Sequence, residues 1–248
     1  MQCLIREEIK KIQADKCVPY VIISFAVLCN LMVAVLCKFD VTNGDVLALY
    51  GKNGVNLYFF IGINTLVGLF CAMFVGYMIL TKEYINDTWD LLMTKLFDGK
   101  KLVVAKFIVF MLYQSIYILF SIVLYIPISK LLIRADIDFR MLGSVLVIVF
   151  FINAFCYILQ YCIQLYVKNF PIAVVSGLLL VYILGPIREI VHIANYIGTV
   201  AGTYAFESGN VYNAKFLATS ALLNIAIGAS FVYISGKKFY SQEGTWII

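Results

Sequence analysis

Four long, predominantly apolar stretches dominate the chain: Val18 to Cys37, Leu57 to Leu80, Leu102 to Ile128 and Met141 to Val167. Each matches or exceeds the roughly 20 residues a helix needs to cross the hydrocarbon core of a bilayer. A fifth stretch, Ile172 to Leu184, is shorter and ends at Gly185-Pro186, and a sixth runs from Phe216 to Ile234. Segments of this kind need lipid around them. Of the 248 residues 63% are hydrophobic and 13% charged, where soluble domains carry about 25% charged residues. A core of this size cannot hide so much apolar surface from water. The expectation is one all-α domain, residues 1–248, forming a polytopic membrane protein with six transmembrane helices.

The net charge of +5 comes from basic residues scattered between the apolar stretches, which excludes the continuous basic arm of a nucleic-acid binder. Their placement bears on orientation instead. Twelve of the 19 Lys and Arg fall on the side that carries both termini and the 81–106 loop, and seven on the other, so both termini are expected in the cytoplasm. The outer loops are then 38–56, 129–140 and 185–215. The seven cysteines sit in or beside apolar stretches, apart from Cys3, and imply no disulfide framework. The mixed charges before residue 17 and the length of the first span argue against a cleaved signal.

Ile5, Ile9 and Ile12 recur at helical spacing in residues 1–16, with Arg6, Glu7, Lys10 and Lys11 on other faces. This pattern predicts an amphipathic helix at the membrane interface; the alternative is a frayed polar tail. The outer connection 185–215 is half apolar and is expected to dip into the outer leaflet as short helices, which needs protein around its backbone.

Between the second and third spans, the segment 81–101 has Asn86, Asp87 or Thr88 as helix caps, followed by Trp89, Leu92, Met93 and Leu96 on one side. Gly99 ends it, and Lys100 and Lys101 stand where cations suit a helix C-terminus and anionic headgroups. An ordinary loop lying on lipid would read the same way. In order, though, Glu83, Thr88, the pair Leu91-Leu92, and Lys106 entering the third span resemble the corresponding loop of type-2 ABC exporter permeases. Asp87 stands where that family usually has Gly, and Phe97-Asp98-Gly99 where it often has Pro.

The resemblance implies that Glu83, Thr88, Trp89, Leu91, Leu92 and Lys106 belong to a coupling helix docked on an ATP-hydrolysing subunit. It also implies two such ATPase subunits, which hold ATP and magnesium, and a second permease subunit of the same or another kind, all in a bacterial cytoplasmic membrane. The chain's size and its lack of a large outer domain look most like the permeases of lantibiotic-immunity transporters, whose cargo is an antimicrobial peptide.

The chain itself shows no nucleotide chemistry. Gly51-Lys52-Asn53-Gly54 lacks the spacing of a phosphate-cradling loop. Asn153, Tyr157, Gln160 and Gln164 share one face of the fourth span; they serve either as hydrogen bonds between helices or as a surface toward substrate or a second subunit. Arg188, Glu189 and His192 cluster at the outer end of the fifth stretch, where Arg188 and Glu189 pair or form part of an outer gate. His192 is the only histidine, too few for the usual zinc hydrolase, and no G-x-S-x-G motif accompanies it. An enzyme is therefore not expected, although an intramembrane enzyme or a membrane scaffold stays as the alternative. Glu189 and Glu207, amid Tyr196, Gly198, Tyr204 and Phe206, suit an apolar peptide bearing positive charge.

Overall fold

A computed structural model describes residues 1–14, 17–39, 43–86, 99–133, 137–167 and 169–243, and every regular element among them is helical. The N-terminal helix α1 (Gln2–Ala14) turns Ile12 into the core and leans Ile5 and Ile9 on it. Helix α2 (Cys17–Lys38) has Pro19 in its first turn, where a missing N–H costs nothing. It buries Ile22, Ala26, Cys29 and Val33 but exposes Tyr20, Ile23, Val27 and Leu31. A helix apolar on both its packed and its open face is built for lipid.

Helix α3 (Gly44–Gly76) starts thirteen residues earlier than the apolar pattern predicts. Asn43 caps it, its Oδ1 accepting from the N–H of Asp45 at 3.2 Å and of Val46 at 3.3 Å. The polar run from Gly51 to Gly54 reads as loop, yet the chain stays helical around a single break at Gly51, whose φ of 65° suits only a residue without Cβ. The expected outer loop 38–56 is correspondingly shorter. Helix α3 continues through a π-turn, Tyr77–Thr81, into α4 (Lys82–Ile85).

Helix α5 (Gly99–Ile128) contains Pro127, which removes one ladder bond, and runs into a second π-turn, Ser129–Ile133. Helices α6 (Phe139–Val147) and α7 (Ala154–Tyr166) form one span across a third π-turn, Ile148–Ile152. Helix α8 (Phe170–Ile190) does not stop at Gly185-Pro186; it carries Pro186 inside it and ends five residues beyond Gly185. Two 3₁₀ turns, His192–Tyr196 and Asn210–Tyr212, flank α9 (Gly198–Glu207) before α10 (Ala214–Glu243).

Among the described residues, five segments are long and apolar enough to cross a membrane: Cys17–Lys38, Gly44–Thr81, Lys101–Ile133, Phe139–Tyr166 and Ala214–Lys237. The protein is thus a multi-pass membrane protein. The expected fifth span lies in α8, whose apolar described stretch, Phe170–Leu179, is shorter than the others. Helix α3 is central, packed on α2, α5, α7 and α9. Amides tie the spans together. Asn30 donates to the Ser121 carbonyl at 2.9 Å, Gln114 to that of Gly68 at 3.0 Å, and Tyr117 to that of Asn64 at 3.1 Å. Asn224 accepts from the Gly198 N–H at 2.8 Å, holding α10 to the start of α9.

Candidate functional site

A lysine one turn or two inside a spanning helix must either reach water or find an anion, because an unpaired buried charge costs far more than a helix can return. Lys106 is fully buried. Three pieces of chain meet at its ammonium. Its Nζ lies 2.8 Å from Glu8 Oε2 on α1 and 2.8 Å from Glu83 Oε2 on α4. It also donates to the Ile79 carbonyl, in the π-turn above α4, at 3.4 Å. Lys11, one turn past Glu8 on α1, pairs with Glu83 Oε1. Glu83 is 3% exposed and Glu8 is also buried, whereas Lys11 reaches solvent.

Among the described residues, two carboxylates and two ammonium groups meet in this cluster, and their charges balance. Its geometry follows from the local fold. The π-turn and α4 carry the end of α3 around to set Glu83 beside Lys106, and α1 lies along α5 so that Glu8 completes the set. The arrangement is mechanical. It joins the N-terminal helix to the elements on either side of residues 87–98.

The family resemblance singled out Glu83 and Lys106, and the structure pairs them directly. Glu8 and Lys11 escaped it. The signal was present, since Glu8 is three residues after Ile5 and four before Ile12 and therefore shares their face. Thr88, Trp89, Leu91 and Leu92, with the rest of the expected coupling helix, lie outside the described residues.

The shared face of the fourth span is buried within the chain. Asn153 donates to the Thr65 hydroxyl, Gln160 to the Ala173 carbonyl at 3.3 Å and Gln164 to the Met73 carbonyl at 2.7 Å. Three of these residues press against glycines. A methyl on Gly76 would stand 1.6 Å from Gln164 Oε1, one on Gly177 1.7 Å from Gln160 Oε1, and one on Gly68 2.5 Å from the Tyr157 hydroxyl. Helices α3, α7 and α8 approach as closely as they do because these positions lack a side chain. Gly76→Ala should therefore cost about 1–3 kcal/mol through overpacking, seen as earlier thermal unfolding in detergent and partly relieved by Gln164→Ala. Unfolding at the wild-type temperature would show that the contact is not tight.

Arg188 and Glu189 belong to the last turn of α8, but their side chains lie outside the described residues; His192 opens the following 3₁₀ turn and is exposed. Among the described residues no group of three His, Cys, Asp or Glu is placed to hold a metal ion.

No curated protein matches the chain. A family model does: the one described as ABC-2 family transporter protein matches residues 4–186, which takes in α1, the ion cluster, the 87–98 loop and most of α8. That family implies a membrane permease subunit of an ABC transporter that works with an ATPase partner. The match covers well over half of the chain, and the chain belongs to the ABC-2 family of transporter proteins.

Proposed function

We propose that the chain is the membrane-spanning half of an exporter that expels an amphipathic, cationic antimicrobial peptide from a bacterial cytoplasmic membrane, as lantibiotic-immunity permeases do. Two ATPase subunits bind ATP and magnesium and hydrolyse the nucleotide; the chain itself is not an enzyme. A second permease subunit completes the pathway. In this reading α8 is the fifth of six spans, both termini are cytoplasmic, α1 lies in the inner interface, and 185–215 re-enters from outside.

The observation that carries it is the buried cluster of Glu8, Lys11, Glu83 and Lys106. A loop can pass a partner's movement into a membrane domain only if its two ends and its neighbours move together. The cluster joins the end of α3, the beginning of α5 and α1 at the point where Thr88, Trp89, Leu91 and Leu92 would meet the ATPase. Support for the cargo comes from the resemblance to lantibiotic-immunity permeases.

The test is survival. The chain would be expressed with its ATPase and partner permease in a sensitive bacterium and challenged with lantibiotics, bacitracin and unrelated drugs. Protection confined to peptides is expected. Equal sensitivity to every peptide, with the complex intact in the membrane, would overturn the cargo assignment.

A further inference from the structure

At the end of the bundle opposite the ion cluster, four rings form a continuous row. Tyr58 stands edge-on to Phe206 at 6.1 Å, Phe206 to Tyr50 at 5.7 Å, and Tyr50 to Tyr212 at 6.0 Å. A carboxylate closes each end of the row. The Tyr58 hydroxyl donates to Glu207 Oε1 at 3.1 Å, and the Tyr212 hydroxyl donates to Asp138 Oδ2 at 2.7 Å. Phe206 is buried as the keel, while the three tyrosines and both carboxylates keep part of their surface open.

The Asp138 end already holds a cation. Arg140 places its guanidinium 5.1 Å from the centre of the Tyr212 ring, where the electron-rich face attracts it. The Tyr212 hydrogen bond holds the Asp138 carboxyl below its usual range against the opposing effect of burial, helped by the backbone N–H groups of Met141 and Arg140 and by the Arg140 charge. Burial first, and then that same bond, push the Tyr212 hydroxyl up to about 12. This end therefore keeps its negative charge and its donor at neutral pH. Arg140 is exposed, so it occupies the place without being locked in it.

We propose that this row is a binding site for an amphipathic peptide bearing guanidinium or ammonium groups, and that Arg140 is a tethered occupant which the ligand's own cation displaces. Apolar side chains of the peptide lie along the tyrosines, and its cations meet Asp138 and Glu207. Lys52 and Lys215 are exposed at the same end of the bundle, so bulk charge gives a polycation little help and recognition needs rings and carboxylates together. The assignment deepens the peptide-exporter reading and rests on it for its biological meaning, but binding is measurable without transport.

The measurement uses the full chain in nanodiscs of neutral phosphatidylcholine, with empty nanodiscs subtracted. The probes are a fluorescent amphipathic peptide rich in Arg and Leu, the same peptide with citrulline for Arg, and oligolysine. Arg140→Ala should tighten binding of the first peptide by about three- to tenfold by removing the competitor, and Asp138→Asn and Glu207→Gln should each weaken it by a similar factor. Tyr212→Phe, which keeps the ring and loses the bond to Asp138, should weaken it less and serves if Asp138→Asn does not fold. The citrulline peptide and oligolysine should bind poorly to every variant. Weakened binding in Arg140→Ala, or equal binding of the citrulline peptide, would overturn the site. Binding as expected without protection of cells would leave the site standing and sink the export reading; protection indifferent to all four substitutions would do the reverse.

Discussion

Lys106→Met should be among the most damaging single substitutions in the chain. It takes away the ammonium that lies between the buried carboxylates of Glu8 and Glu83 and leaves Lys11 beside Glu83 alone, a loss of about 3–5 kcal/mol for breaking one partner out of a buried ionic group. Thermal unfolding in detergent would register it as a large drop in midpoint. Adding Glu83→Gln to Lys106→Met should recover part of the loss, because one of the two neighbouring carboxylates then carries no charge and Lys11 is left to offset Glu8. The cycle of single and double variants isolates the coupling. Strict additivity of the two, or an unchanged midpoint for Lys106→Met, would mean that the cluster is not the brace described above.

Leu91→Asp with Leu92→Asp should release the ATPase while the permease remains in the membrane. Apolar anchors at the centre of an interface each carry about 2 kcal/mol or more, and an aspartate there adds the cost of burying an unpaired charge, so the pair should lower affinity at least a hundredfold. Co-purification and stimulation of ATP hydrolysis by the permease would both be lost. If both persist in the double variant, the loop is not the docking element. On the proposed reading, this substitution and Lys106→Met separate two contributions: contact of the leucines with the partner, and the hold of the lysine on the elements that flank residues 87–98.

Much of the architecture was legible in the sequence, for a reason particular to lipid. Where every backbone group must be satisfied inside its own segment, a long apolar run has one regular conformation open to it, and hydropathy alone delimits it. Val18–Cys37 became Cys17–Lys38 almost unchanged. What hydropathy could not convey was continuity through polar or irregular residues. The α3 start at Gly44 depends on the Asn43 cap and the Gly51 break, and α8 runs past Pro186. In the site, Glu83 and Lys106 were visible through the family motif, whereas Glu8 was hidden as one more charge on a polar-looking helix. The face of Asn153, Tyr157, Gln160 and Gln164 was plain from helical spacing. Its partners were not, because Gly68, Gly76 and Gly177 signal themselves only by the absence of a side chain.

The ion cluster also fixes an order of assembly. Glu8 precedes Lys106 by 98 residues in the chain, so during synthesis the acid that completes the set leaves the ribosome long before the base it requires. Until the third span has been inserted, Glu8 lacks the ammonium that it meets in the fold, and of these ion pairs α1 has only that of Lys11 with Glu83. Helix α1, made before the spans, thus takes its final place only after α5 has taken its own.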